Sequence, residues 1–291
     1  MAGPLNLGIG QFSYHRYFGD MVRWEHDPGV RWSLTDFMDR ANSHCVGTVG
    51  IQTCYLTKQE TERLPEIAAT HGLEVILEWG HPAGLEMGKS PEAVQDLRSW
   101  IARAGRWSFP LLRVVAGYPT LRGKEPVEIQ TNRLVPMLQE LCREAMDFGI
   151  TLALENHADF TPAELKRLIE MTDRVNLHAV LDFANAVRLG EDLTQSVHDL
   201  APLARVVHLR DLVILPESIG DPTAPWPAAP LGCGSLDIGK ALQELYNGGF
   251  SGCVLLELSH LHQNWTGKED EVIRQSLSWL ENWETFRGKR F

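Results

Sequence analysis

The sequence predicts a single closed (β/α)8 barrel spanning residues 1–291, and three observations carry that expectation. Eight short apolar runs alternate with eight stretches of helical period along the whole chain. No G-x-G-x-x-G or phosphate loop follows any of the apolar runs, which argues against an open doubly wound sheet. Several helical stretches end in glycine, at Gly72, Gly105, Gly149 and Gly249, the residue expected just past a helix C-terminus.

In chain order, strands are read at residues 5–13, 48–55, 73–80, 111–117, 151–157, 177–185, 206–212 and 252–259. SLTDFMDRANSHC follows the first strand and LTKQETERLPEIAATHG the second. SPEAVQDLRSWIARAG, EIQTNRLVPMLQELCREAMDFG and TPAELKRLIEMT come next, then DLTQSVHDLAP, LDIGKALQELYNGG and EDEVIRQSLSWLENW. Pro136 is expected to kink or divide the fourth helix. Thr161, Pro162 and Glu164 read as the N-cap, first residue and capping partner of the fifth. The aromatic-rich stretch from Tyr14 to Trp32 reads as a long first βα loop, either a lid or a subunit contact. The proline-rich segment 214–230 is a long loop after the seventh strand, able to form part of a lid.

Lys and Arg number 27 against 38 Asp and Glu, a net charge of -11 with no basic cluster, so a nucleic-acid backbone would be repelled. A small uncharged partner suits this balance. No run approaches the ~18 apolar residues of a membrane span, and the N-terminus lacks the basic flank of a signal peptide. Cys45, Cys54, Cys142, Cys233 and Cys253 are scattered, without a C-x-x-C pair. The expectation is a reduced, cytoplasmic protein whose cysteines are small buried hydrophobes.

In a (β/α)8 barrel the C-terminal strand ends converge on one site. Strand five brings Glu155 and His157 there, strand six Asp182 with Asn185 beyond, strand seven His208, Arg210 and Asp211, and strand eight Glu257 with His260 beyond. Three carboxylates and an imidazole suit a hard or borderline divalent cation, Mn²⁺ foremost with Mg²⁺ or Co²⁺ as alternatives. The site would keep a charge near minus one, which favours a neutral polyol over a phosphate. A cation holding two adjacent sugar oxygens stabilises an enediolate, and Glu155 and Glu257 could then act as paired bases. His157 is read as a base, a substrate contact or a hydrogen-bond donor to a residue that itself holds the metal or substrate. Arg210 is read as a ligand contact or an ion pair with Asp211. Tyr14, His15, Arg16, Gln52, Glu78 and His81 read as a polar rim for hydroxyls, with Trp79 a stacking surface.

ENHADFTPAEL, LDFAN and HLRD resemble the fifth-, sixth- and seventh-strand motifs of the xylose-isomerase-like TIM-barrel superfamily of sugar isomerases and epimerases. PLGCGSLD and LLELS are similar to that superfamily's last loop and last strand. The resemblance implies that Glu155, Asp182, His208 and Glu257 are metal ligands, with Glu155 and Glu257 moving the proton. It implies an isomerase or epimerase of a ketose or oxo-sugar. Asn185 stands where ketose 3-epimerases carry a substrate-binding histidine, and Val206 replaces the aspartate that related apurinic endonucleases place before the histidine. The Glu-Asn-His run also looks like 3-oxo-acid decarboxylases and the catalytic subunits of C-glycoside deglycosidases. That likeness implies an alternative, a metal-dependent carbon–carbon lyase on a 3-oxo sugar with His157 as acid or base. The expected partners are a small sugar and either further copies of the chain or a smaller second subunit, with no membrane. A non-catalytic sugar-binding subunit is the reading from a different class, and the intact quartet argues against it.

Overall fold

A computed structural model describes residues 5–288. Eight parallel strands close into a barrel: β1 (Asn6–Gly10), β2 (Thr48–Gln52), β3 (Glu74–Glu78), β4 (Leu111–Val114), β5 (Thr151–Glu155), β6 (Leu177–Asp182), β7 (Ala204–Leu209) and, after a short antiparallel ribbon of β8 (Asp211–Leu212) and β9 (Ala228–Ala229), β10 (Cys253–Leu256). β1 pairs with both β2 and β10, which closes the sheet. Around it lie α1 (Leu34–Ser43), α2 (Lys58–His71), α3 (Pro91–Trp107), α4 (Val127–Asp147), α5 (Pro162–Thr172), α6 (Phe183–Arg188), α7 (Leu193–Leu200), α8 (Ile238–Asn247) and α9 (Glu269–Gly288). The predicted (β/α)8 barrel is thus the observed fold, and all eight predicted strands are present.

Strand alternation divides the core into two. Leu152 and Leu154 of β5 face the helices in the large outer core, while Ala153 packs inside the barrel with Ile76, Val180, Val206, Cys253 and Leu255. A period of two then sends the next inward residue of each strand to the top of that apolar plug. Those residues are Glu78, Arg113, Glu155, Asp182, His208 and Glu257, all buried. Gly50 leaves room for this layer, since a Cβ there would meet the Glu78 carboxylate at 2.8 Å.

Capping follows the sequence closely. Ser33, Thr57 and Thr161 each form a reciprocal capping box with the acidic residue three positions on, and Pro162 opens α5. Some expectations differ. α4 runs unbroken through Pro136 rather than dividing. Gly105 lies inside α3, because Ser108 takes the left-handed cap three residues after the expected end. The short α6 begins directly after Asp182, earlier than a strand reaching residue 185 would allow. Cys142 and Cys253 are buried as expected, whereas Cys45, Cys54 and Cys233 are exposed. Among the described residues no helix is long and apolar enough to cross a membrane.

Asp211 organises the proline-rich loop. Its buried carboxylate accepts the backbone N–H groups of Leu212, Gly232, Gly234 and Leu236 at 2.9–3.1 Å. Asp211→Ala should therefore leave one buried and three part-buried donors without their acceptor and cost about 1–3 kcal/mol, read as a lower urea midpoint with an unchanged slope.

Candidate active site at the strand ends

His208 is the centre of the cluster. Its Nε2 stands 2.7 Å from Glu78 Oε1, and its Nδ1 stands 3.1 Å from Glu257 and 3.7 Å from Glu155. Neither ring nitrogen makes an aligned hydrogen bond, although both are fully buried. Ligand atoms of Glu155, Asp182 and His208 lie within 4.8 Å of one another, as do those of Glu78, His208 and Glu257. The predicted quartet is therefore brought together, with Glu78 as a fifth member.

Two guanidiniums share the site. Arg113, inward-facing on β4, pairs with Glu155 and also donates to the Trp79 carbonyl. Arg210 donates to both oxygens of Asp182, at 3.3 and 2.7 Å, and not to Asp211, which is engaged in the loop. Asp182 also N-caps α6 by accepting from the Asn185 N–H at 2.8 Å. Asn156 pins the ends of β5 and β6 together, donating to the Asp182 carbonyl and accepting from its N–H. Asn185 in turn donates to Glu155 at 3.2 Å and accepts from Arg188 and Arg210.

The two glutamates of the quartet differ. Burial works to raise Glu155, but Arg113 and then His208 outweigh it and hold the carboxyl well below the usual range. At Glu257 burial wins over the nearby His208 and Arg210 cations, and the group is pushed up to about 7. Burial lowers His157 to about 3, so its ring is neutral. For His208 burial also opposes the charge, yet Glu257, Glu155 and Glu78 draw its pKa well above the usual value.

The donor set fits a divalent cation. Carboxylate oxygens and an imidazole nitrogen without an aligned partner converge on one buried region. Glu78 beside Nε2 is the kind of carboxylate that orients a ligating imidazole and leaves Nδ1 free for a metal. Four carboxylates against two guanidiniums leave two negative charges. A dication would bring the cluster to neutrality, not to the minus one expected from the quartet alone.

Above the cluster is a cavity of about 960 Å³, walled by Gln52, His81, Arg113, Tyr118, His157, Arg210, Glu257 and His260. The first βα loop adds Asp20, Val22, Arg23 and Trp24, and the proline-rich loop adds Asp221, Thr223 and Trp226, so both loops wall the site. Arg188 fastens the latter by donating to the Pro222 carbonyl.

Several rim residues take other places. Glu78 lies beneath the cavity with His208 and Gln52. Tyr14 and Arg16 turn to α9, where the Tyr14 hydroxyl donates to Asp270 and Arg16 pairs with Glu269. Trp79 offers no stacking surface to a substrate; it is fully buried, stacks on His81 and donates to Asp96 of α3. His15 is buried against Glu25 instead of facing the cavity. Arg113, Arg188 and Glu25 were not identified from sequence. An arginine inside the apolar run LLRVV was a usable signal for the first, while the other two sit in segments without periodicity.

A closed parallel barrel with carboxylates and imidazole at its C-terminal strand ends defines the class, a catalytic (β/α)8-barrel enzyme with a candidate divalent-metal site. Within that class, the chain belongs to the xylose isomerase-like TIM barrel family, whose sequence model matches residues 50–283. L-ribulose 3-epimerase superposes with a TM-score of 0.73 at 18% identity, covering 98% of this chain and 96% of that one. A xylose isomerase domain protein from Planctomyces limnophilus gives 0.72 at 16%, covering 97% and 98%. The 3-keto-D-glucoside 4-epimerase YcjR of E. coli gives 0.70 at 16%, covering 96% and 99%. At these identities the likeness is one of fold. The uncharacterized protein YihM of Escherichia coli (strain K12) is 31% identical over 74 residues, which span 25% of this chain and 23% of YihM, about a quarter of each.

Arg113→Met should leave Glu155 buried without its counter-ion and cost about 3–5 kcal/mol at neutral pH. Because the wild-type carboxyl is held low, its contribution is present above the unfolded pKa and fades as pH falls. The stability gap between the two proteins, measured by urea unfolding, should therefore narrow in acid.

Proposed function

We propose that this protein is a divalent-metal-dependent isomerase or epimerase of a ketose or oxo-sugar, acting through an enediolate. The observation that carries this reading is the buried carboxylate–imidazole cluster that opens on the cavity through Glu257. Glu155, Asp182, His208 and Glu257 would hold the cation, and bound there it would grip adjacent sugar oxygens and stabilise developing negative charge. Mn²⁺ is the first choice for a site dominated by carboxylates.

Glu257 lies at the cavity wall, where its carboxylate can reach a proton beside a carbonyl. Glu155, held as a carboxylate by Arg113 and Asn185, is the second member of the pair and the weaker base of the two, serving first as an anchor for the cation. Arg210 and His81 line the cavity within reach of substrate hydroxyls, and Asn185 orients Glu155 and Arg210 from below. Glu78 and His15 are proposed to act on the sugar only through His208 and Glu25, the groups they touch.

One observation favours the lyase as a second reading. His157 presents a neutral ring to the cavity, with Nδ1 buried and unpartnered, and packs edge-on against Tyr118. A cavity at the top of the range for drug-sized ligands, with Trp24, Tyr55, Tyr118 and Trp226 in its wall, has room for an aglycone beside a sugar ring. After Glu257 takes the proton next to a 3-oxo group, the bond to the aglycone would break, and the departing carbon would take up that proton with His157 as its hydrogen-bonding partner.

The test is NMR in D₂O of chelator-stripped and Mn²⁺-loaded protein with ketoses and 3-oxo-glycosides. Deuterium beside the carbonyl with an isomeric sugar accumulating is expected; release of the aglycone would replace the isomerase reading with the lyase. Neither signal in metal-loaded protein would overturn both. Glu257→Gln should slow exchange by about 10²–10⁴-fold, and unimpaired exchange would remove Glu257 from the role of base.

A further inference from the structure

A second cluster of ligating groups lies apart from the one around His208. His15 Nε2 is 2.9 and 3.0 Å from the two oxygens of Glu25, and His260 Nδ1 is 3.5 Å from Glu25 Oε2. The two imidazole rings have centroids 4.4 Å apart, and ligand atoms of all three residues fall within 4.8 Å of one another. The Glu25 side chain is wholly buried. His260 Nδ1 is buried without a hydrogen-bond partner.

The ring orientations are those of ligands. His15 Nδ1 donates to the Phe12 carbonyl at 3.0 Å, which in a neutral ring leaves the Nε2 lone pair facing a carboxylate. Two lone-pair bearers at that separation need either a shared proton or a metal cation between them. Ligands bound at about 2.0–2.1 Å and at angles near 90–110° stand roughly 2.9–3.4 Å apart, the spacing found around Glu25. The backbone supports the arrangement. His260 has a φ of 51°, a left-handed conformation that costs a histidine energy and turns its side chain back toward Glu25. Its carbonyl is held by the Ala228 N–H at 3.1 Å.

We propose that His15, Glu25 and His260 form a second divalent-cation site, suited to zinc, that fastens the first βα loop over the cavity. Two imidazoles and one carboxylate are a zinc donor set with at least one position left for water or a substrate oxygen. His260 is the member of the three that lines the cavity, so this open position adjoins the substrate space. Glu25 sits in the middle of that loop, while His15 lies in the 3-10 helix, Gln11–Phe18, through which the chain enters it. The same carboxylate accepts the Val22 N–H at 3.0 Å, and Val22, Arg23 and Trp24 are cavity wall. A cation bound by residues from the end of β1, the loop and the end of β10 would therefore fix that wall in place. The site shares no ligand with the His208 cluster, so the proposal stands apart from the reaction proposed above.

Chelator-stripped full-length protein is titrated with Zn²⁺, and bound metal is counted by mass spectrometry after gel filtration. Wild type should retain two equivalents. Glu25→Gln and His260→Ala should each retain one, with wild-type circular dichroism, and Asp182→Asn should lose the other equivalent while keeping this one. A wild type that saturates at one equivalent removed by Asp182→Asn would overturn the site. So would an unchanged count in both Glu25→Gln and His260→Ala. Trypsin supplies a readout of the loop, because Arg23 is exposed. Zinc should slow cleavage after Arg23 by about tenfold in wild type and not in Glu25→Gln. Equal cleavage with and without zinc in wild type would sink the fastening role.

Discussion

Charged side chains stacked directly on an apolar plug are the constraint around which this molecule is arranged. Ile76, Val180 and Val206 fill the barrel interior, and two residues further along the same strands stand Glu78, Asp182 and His208. A strand cannot choose otherwise once its register is fixed, because every second side chain points inward. The carboxylates lose water on three sides and cannot be left unpaired. Arg113 on β4 and Arg210 just past the end of β7 answer part of that demand, each aimed at a different carboxylate. His208, with carboxylates on both ring nitrogens, stands where the remaining positive charge is required.

Much of this was legible because two independent periodicities coincide. Period two within a strand and the βα repeat along the chain together pick out Glu155, Asp182, His208 and Glu257 without any knowledge of neighbours. The reading failed where neither period applies. Beyond β1 the chain enters a 3-10 helix, Gln11–Phe18, interrupted at Tyr14, so alternation no longer says which side chains turn inward. Tyr14 and Arg16 accordingly go to α9, and His15 alone turns toward the cavity end, where it meets Glu25. At β3 alternation itself contains the answer: with Glu78 inside, Trp79 must face the helices, where its indole N–H finds Asp96. Glu25 could not have been found, since a loop residue distant from any strand end carries no positional rule.

The unlike environments of Glu155 and Glu257 show how a symmetrical-looking pair is made to differ. Both are buried carboxylates within reach of the same imidazole. Glu155 has an arginine on one oxygen and an amide on the other, so its charge is fixed by bonds already made. Glu257 has Arg210 only at 3.7 Å and lies at the cavity wall, so burial governs it. A carboxyl whose charge is settled is a good anchor for a cation, and one whose charge is near balance is a good proton carrier. The difference arises from one residue of β4, because Arg113 hydrogen-bonds to Glu155 and not to Glu257.

Rigid strands supply the charges, while two loops determine what can reach them. The proline-rich loop is held at its base by the Asp211 carboxylate and near its middle by Arg188 on the Pro222 carbonyl. Arg188 also donates to Asn185, and Asn185 donates to Glu155, so a continuous set of hydrogen bonds runs from the cluster to the loop. The first loop has its own tethers, Glu25 to His15 and Arg16 to the His26 carbonyl. Each loop is therefore fastened by groups that begin at a strand end, and none of those strand ends can move without disturbing the buried charge balance. The size and shape of the cavity can change through Trp24, Thr223 and Trp226 while the charged layer below stays the same, so the fold leaves specificity to its loops.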